Sequence, residues 1–199
     1  TGTNGKTSTV TMLADCLEDT GKNIFLGGNI GVSPFDILQE VIDDPKKYDY
    51  LILELSSFQL ELIDTLKPLI SVILNISPSH MERYQKYEDY VCAKLEILKN
   101  QAEGDLCILN KDLLGVKTSA ETVEITTIKD YSFKESKLLG EHIKENYFVV
   151  ETVLKFLKIS DYKSIMQEFI NSFSGVKYRL QYKGTLKGVD FYNDAKSTN

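Results

Sequence analysis

Four prolines and three cysteines are all that 199 residues offer for punctuating or stapling this chain, and each shortage excludes something. Cys16, Cys92 and Cys107 are too few and too scattered for a zinc site or a disulfide framework, so they are expected as buried thiols of a reducing compartment. No Pro/Gly-rich linker, repeat or low-complexity stretch interrupts the sequence, so most of it is expected to form one compact unit. No apolar run approaches the roughly 20 residues of a membrane helix, and no signal-peptide pattern opens the chain. Positive charge is short as well. Lys+Arg 23 against Asp+Glu 29 leave a net charge of −6 and a pI near 5.1, which argues against nucleic-acid binding through a basic face. What remains has the composition of a soluble cytosolic protein, 42% hydrophobic and 26% charged, large enough for one sizeable core.

Both ends read as interior sequence. Thr1-Gly2-Thr3-Asn4-Gly5-Lys6-Thr7 is a phosphate-binding loop without the hydrophobic strand that must feed it, and Tyr192 to Asn199 stops just after an apolar alternation. The sequence is therefore expected to be a piece of a longer protein.

Between the ends, helical and strand patterns alternate. Helices are predicted at Thr7 to Leu17, Pro34 to Ile42, Tyr87 to Lys99, Glu141 to Leu157 and Tyr162 to Phe173. Strands are predicted at Asn23 to Leu26, Tyr50 to Leu55, Leu69 to Ile76, Leu106 to Leu109 and Val123 to Ile128. The runs at 50–55 and 69–76 have the form of strands buried on both faces of a parallel sheet. The fold class expected is α/β, a mostly parallel sheet flanked by helices. After Gly175 the pattern changes to a hairpin, with strands at Tyr178 to Tyr182 and Val189 to Tyr192 and turn signals at Lys183-Gly184 and Lys187-Gly188. That change places a domain boundary near Gly175.

The loop carries the clearest chemistry. Glycines at positions 2 and 5 let backbone N–H groups converge on a phosphate, Lys6 reaches the β- and γ-phosphates, and Thr7 offers its hydroxyl to Mg²⁺ at a helix N-terminus. The alternative is a glycine-rich turn that only caps a helix. Glu54 interrupts a buried strand, where a carboxylate is costly unless it is paired or holds a metal. Beside a phosphate loop, a Mg²⁺ ligand at the strand's carboxyl end is the natural reading, and a buried salt bridge is the other. His80 follows the next apolar strand and belongs on the same sheet edge, or on a surface loop. Lys94 shares a stripe with Tyr87, Val91 and Leu98 at helical spacing, so it points where a core residue belongs. It either snorkels to water or sits partly desolvated, losing its proton more easily than an exposed lysine.

Taken in order, Thr1-Gly2-Thr3-Asn4-Gly5-Lys6-Thr7, Gly27-Gly28-Asn29-Ile30-Gly31, Glu54-Leu55-Ser56-Ser57-Phe58-Gln59-Leu60, His80-Met81-Glu82-Arg83-Tyr84, Ala93-Lys94 and Asn193-Asp194-Ala195-Lys196-Ser197-Thr198-Asn199 resemble the motifs of the Mur ligases. The resemblance covers nearly the whole chain. It implies a central ATP-binding domain over residues 1–175 and the opening of a C-terminal Rossmann-like domain over 176–199, with the N-terminal UDP-binding domain lying outside the sequence. It also implies a monomeric cytoplasmic enzyme that uses ATP and two Mg²⁺ ions to join D-glutamate to UDP-N-acetylmuramoyl-L-alanine, and that binds neither nucleic acid nor membrane. By the same resemblance Gly2 through Thr7 and Ser8 hold the nucleotide phosphates, with Thr7 and Glu54 on one Mg²⁺. His80 and a carbamylated Lys94 serve the second. Asn29 faces the muramoyl substrate, Ser56 is a further substrate-binding residue, and Asn146 faces adenine. Arg179 and Asp194 reach ATP from the C-terminal side, and Lys196 and Thr198 line the cleft for D-glutamate. Ile143 departs from the family pattern, so adenine contact falls to Asn146 alone; Ser79, Tyr178 and Gln181 depart from it as well. The readings that compete with this are a folylpolyglutamate synthase-type ligase and a P-loop ATPase or nucleotide switch that joins nothing.

Overall fold

The computed structural model describes residues 1–138 and 140–196. Its chain forms two compact units, one built from Thr1–Lys6 with Phe25–Ile125, the other from Thr7–Ile24 with the chain from Thr126 onward.

The first unit runs β1 (Ile24–Gly28), a 3₁₀ turn (Pro34–Ile37), α2 (Leu38–Asp43), β2 (Tyr50–Glu54), α3 (Ser57–Leu60), β3 (Ile70–Ile73), α4 (Tyr87–Leu95), β4 (Leu106–Leu109) and β5 (Glu121–Glu124). Strands β3, β4 and β5 form a parallel sheet with Ile70 opposite Leu106 and Leu106 opposite Glu121. The middle strand, Leu-Cys-Ile-Leu, is buried at every position, as a continuous apolar run demands when both faces are covered. One core is formed by Leu60, Ile73, Ile97, Leu98, Cys107 and Leu109. A second cluster, Tyr84, Tyr90 and Ala93 with Phe58 against it, joins α3 to α4, the Phe58 and Tyr84 rings stacking 5.9 Å apart.

The second unit contains α1 (Lys6–Glu18, from Thr7), α5 (Glu141–Phe156), α6 (Tyr162–Ser172) and an antiparallel hairpin of β6 (Gln181–Leu186) and β7 (Val189–Asn193). Met166, Phe169 and Ile170 give α6 an apolar face at i, i+3 and i+4, and the Tyr147 ring of α5 meets Phe169 edge-on at 6.2 Å. The Tyr192 hydroxyl donates to the Lys137 carbonyl.

Several boundaries differ from the sequence reading. β5 lies at 121–124 rather than 123–128, because its register on β4 is set at Glu121 and an edge strand needs only one side covered; Glu121 and Thr122 face solvent and carry no apolar signal. β2 is covered on one face only, Leu51 being 51% exposed. The helix expected over Pro34 to Ile42 begins as a 3₁₀ turn closed by a Ser33–Asp36 capping box, and the one over Tyr87 to Lys99 tightens into 3₁₀ geometry after Leu95. Lys183-Gly184 is not a turn. It lies within β6, where the register slips between Tyr182 and Gly184, and the reversal is made at Lys187-Gly188, both at positive φ. Cys92 is exposed rather than buried, whereas burial pushes the Cys107 thiol up to about 11 and that of Cys16 higher still.

Candidate phosphate-binding site

The start of the loop runs beside β3 and the residues that follow it, tied to them by main-chain hydrogen bonds. The Thr1 nitrogen donates to the Val72 carbonyl at 2.8 Å, the Leu74 N–H to the Thr1 carbonyl at 3.1 Å and the Thr3 N–H to the Asn75 carbonyl at 2.8 Å. The ladder ends at Asn4. Gly5, at φ 81°, then turns the chain into α1, whose first turn holds Thr7 and Ser8. Lys6 folds its ammonium back over the loop, donating to the carbonyls of Gly2 and Thr3, each at 3.0 Å.

Glu54 ends β2 and is 3% exposed. Its main-chain carbonyl accepts from the Asn29 N–H at 2.7 Å, and its Oε1 accepts from the Asn29 side-chain amide at 3.1 Å. Gly28, at φ 102°, makes this possible: a Cβ there would run into the Glu54 carbonyl oxygen. Gly28→Ala is therefore expected to destabilise the protein by about 1–3 kcal/mol, from backbone strain and from the displaced strand end. Chemical denaturation measures this, and an unchanged midpoint would remove the cradle from the account.

Ser56, two residues on, caps α3. Its hydroxyl accepts from the Gln59 N–H while the Gln59 side-chain oxygen accepts from the Ser56 N–H at 2.9 Å, a reciprocal capping box that directs the chain away from Glu54.

Lys94 is 2% exposed on α4 and does not snorkel. Its Nζ donates to the Gly2 carbonyl at 3.0 Å and to the Thr1 hydroxyl at 3.4 Å, and sits 4.6 Å from the centre of the Tyr90 ring. Burial, aided by the charge of Lys6, lowers its pKa to about 8. Two lysines far apart in sequence, Lys6 and Lys94, thus donate to one loop carbonyl. His80 lies in a turn at φ 57°, its side chain 46% exposed. Its imidazole meets the rings of Phe58 and Tyr90 edge-on at 5.1 and 6.2 Å, and its Nδ1 is 3.6 Å from Glu82.

The first unit thus contains a phosphate-type loop, a carboxylate held by Asn29 and a second lysine donating to a loop carbonyl. The model for the Mur ligase middle domain matches residues 1–172. The chain belongs to the Mur ligase family. Among curated Mur ligase relatives, the UDP-N-acetylmuramoylalanine–D-glutamate ligases of Streptococcus thermophilus and Streptococcus pyogenes are 38% identical across all of this chain. The chain spans 48% of their length, about half. Solved Mur ligase structures share the fold: MurF of Thermotoga maritima in complex with ADP has a TM-score of 0.73 at 20% identity over 97% of this chain and 51% of its own. MurF of Acinetobacter baumannii has 0.72 at 17% over 100% of this chain and 50% of its own.

The other residues named from the Mur ligase resemblance belong to the second unit. Asn146 is 7% exposed on α5. Asp194 accepts from the Leu180 N–H at 2.9 Å, Arg179 is exposed in the turn before β6, and Lys196 places its ammonium 5.7 Å from the Tyr178 ring. Thr198 lies outside the described residues.

Among the described residues no three His, Cys, Asp or Glu side chains are gathered as a metal-binding group. Mg²⁺ rarely needs such a cage, since one or two carboxylates with phosphate oxygens and water complete its octahedron. A single cradled carboxylate at the sheet edge fits that pattern, whereas an ammonium at Lys94 does not.

Sequence reasoning missed two members of this site. Tyr90 supplies the ring under Lys94, and its hydroxyl lies 3.3 Å from that of Thr3. Its spacing of four residues before Lys94 was the available signal. Asn75 grips the loop through its side chain, and no local pattern announces that.

Proposed function

We propose that this chain is the central ATP-binding domain, residues 1–175, with the opening of the C-terminal domain, 176–199, of a cytoplasmic, ATP-dependent ligase that adds D-glutamate to UDP-N-acetylmuramoyl-L-alanine. The observation that carries the reading is the buried Lys94 ammonium on the Gly2 carbonyl, the same carbonyl that Lys6 reaches. A nucleotide switch needs only the loop lysine. A ligase must also manage the acyl phosphate that forms beyond the γ-phosphate, and Lys94 stands on that problem's doorstep in a chain that is 38% identical to D-glutamate-adding enzymes throughout.

The chemistry runs in two steps. An alanyl carboxylate oxygen attacks the γ-phosphorus of ATP and ADP leaves. The amine of D-glutamate then attacks the acyl carbon, phosphate departs and the nitrogen gives up a proton. Catalysis is chiefly positioning and charge neutralisation. The loop's N–H groups and Lys6 bind and orient the phosphates. Glu54 and Thr7 would hold one Mg²⁺, and His80 with a carbamate on Lys94 would hold a second; bound there, the ions neutralise charge on the transferring phosphoryl group. Asn29 holds the Glu54 carboxylate through its side-chain amide and borders the muramoyl substrate, and Ser56 also binds substrate. Asn146 serves adenine, Arg179 and Asp194 the nucleotide, and Lys196 and Thr198 the incoming amino acid. The enzyme works as a monomer.

The test is ADP release by the longer enzyme with both substrates present, coupled to amide formation, and absent when D-glutamate is withheld. The 199 residues by themselves, which span 48% of the length of the D-glutamate-adding relatives, are expected to form no amide. ATP turnover without an acceptor would overturn the ligase reading in favour of a switch.

A further inference from the structure

We propose that Asn75 is a positioning residue for nucleotide phosphates, a clamp that sets the point at which the phosphate-binding loop leaves the sheet. The proposal rests on the nucleotide reading above and extends it to a residue with no contact to phosphate.

Asn75 follows β3 by two residues, and three of its polar groups face the loop. Its main-chain carbonyl accepts from the Thr3 N–H at 2.8 Å, its Oδ1 accepts from the Asn4 N–H at 2.8 Å, and its Nδ2 donates to the Asn4 carbonyl at 3.1 Å. The side-chain amide stands in for a peptide unit and adds one rung to the Thr1–Thr3 ladder. That rung falls on the residue before Gly5, where the chain turns into α1 and the loop's N–H groups are aimed. Two residues further on, Ser77 braces the same stretch, its N–H donating to the Thr3 hydroxyl at 3.0 Å.

Only a short amide meets the requirement. It must donate and accept across one rung, and glutamine would overshoot by a methylene. Aspartate keeps the acceptor for Asn4 N–H but turns a second oxygen toward the Asn4 carbonyl, and adds a negative charge where an anion is to bind. Alanine removes both side-chain hydrogen bonds to Asn4. Either change frees the loop to sample conformations in which its N–H groups diverge, so the penalty appears when a phosphate over the loop must be bound.

Asn75→Ala and Asn75→Asp in the longer enzyme test this by calorimetric titration with ADP and with AMP, in the presence of Mg²⁺. AMP lacks the terminal phosphate that the loop cradles. Asn75→Ala is expected to weaken ADP about tenfold and AMP less than about twofold. Asn75→Asp, which keeps the volume, is expected to weaken ADP further. A residue that merely supports the fold would weaken both nucleotides alike, and that result, or unchanged ADP affinity in both variants, would overturn the proposal. Hydrogen exchange on the wild type gives an arm free of variants: without nucleotide the Asn4 amide exchanges slowly, and exchange at the rate of an open loop amide would also overturn it. If wild type binds no ADP, the nucleotide reading itself has failed and takes the clamp with it. If wild type binds ADP and the variants bind as tightly, the clamp alone falls.

Discussion

Lys6→Ala or Glu54→Ala in the longer enzyme is expected to lower kcat by about 10²-fold or more if the ligase function proposed above holds, since each would remove a charge aimed at the transferring phosphoryl group. The two losses have different structural origins. The Lys6 ammonium rests on the Gly2 and Thr3 carbonyls, already over the loop, so alanine deletes charge without opening the core. Glu54 is 3% exposed and held by Asn29, so its truncation also leaves the Asn29 amide unmatched. Glu54→Gln separates the effects: it keeps the shape and an acceptor for Asn29 while removing the charge. Steady-state turnover at saturating ATP and Mg²⁺ is the measurement. Glu54→Gln with near wild-type kcat would assign Glu54 to structure alone, and Lys6→Ala with near wild-type kcat would remove the loop lysine from the mechanism.

On the same proposed function Lys94→Ala is expected to produce a comparable loss, about 10²-fold or more, partly restored by short-chain carboxylic acids standing in for a carbamate. The reason begins with burial. The ordinary lysine value of 10.5 falls to about 8 here, so about a tenth of the side chain is a neutral amine at pH 7 and about half at pH 8. A neutral amine adds CO₂ and releases a proton, exchanging a cation for an anion whose two oxygens suit Mg²⁺. Labelled bicarbonate would show the carbamate carbon by NMR in wild type and not in Lys94→Ala. Full activity in Lys94→Ala would end this assignment. The same shift has a thermodynamic signature in the unmodified protein. The unfolded chain keeps the Lys94 proton up to about 10.5 and the folded chain releases it at about 8, so unfolding takes up a proton between those values. The Lys94 contribution to stability therefore rises with pH across that window, and Lys94→Met should flatten it.

Much of this was legible in local pattern. A glycine-lysine-threonine loop before an apolar helix, a lone carboxylate in an apolar strand and a lysine on a helical stripe are features of a few neighbouring residues, and each landed in the element expected of it. The short strands were harder. β5 is an edge strand whose solvent-facing Glu121 and Thr122 look like loop, and the slip within β6 moved the hairpin turn to Lys187-Gly188 because pairing with β7, not the nearest glycine, sets the register.

The sequence by itself determined which residues stand out: Glu54 in an apolar strand and Lys94 on an apolar helical stripe are exceptions to their local patterns, and burying a charge is costly enough that each exception demands a reason. Tertiary structure decided what they touch. Lys94 meets a loop carbonyl 92 residues away, Tyr90 fills the space beneath it, and Asn75 holds Asn4 across 71 residues. Such pairings leave no local periodicity, because β3, α4 and the loop are brought together only by burial of the shared core, and a single asparagine after a strand looks the same whether it grips a neighbour or faces water.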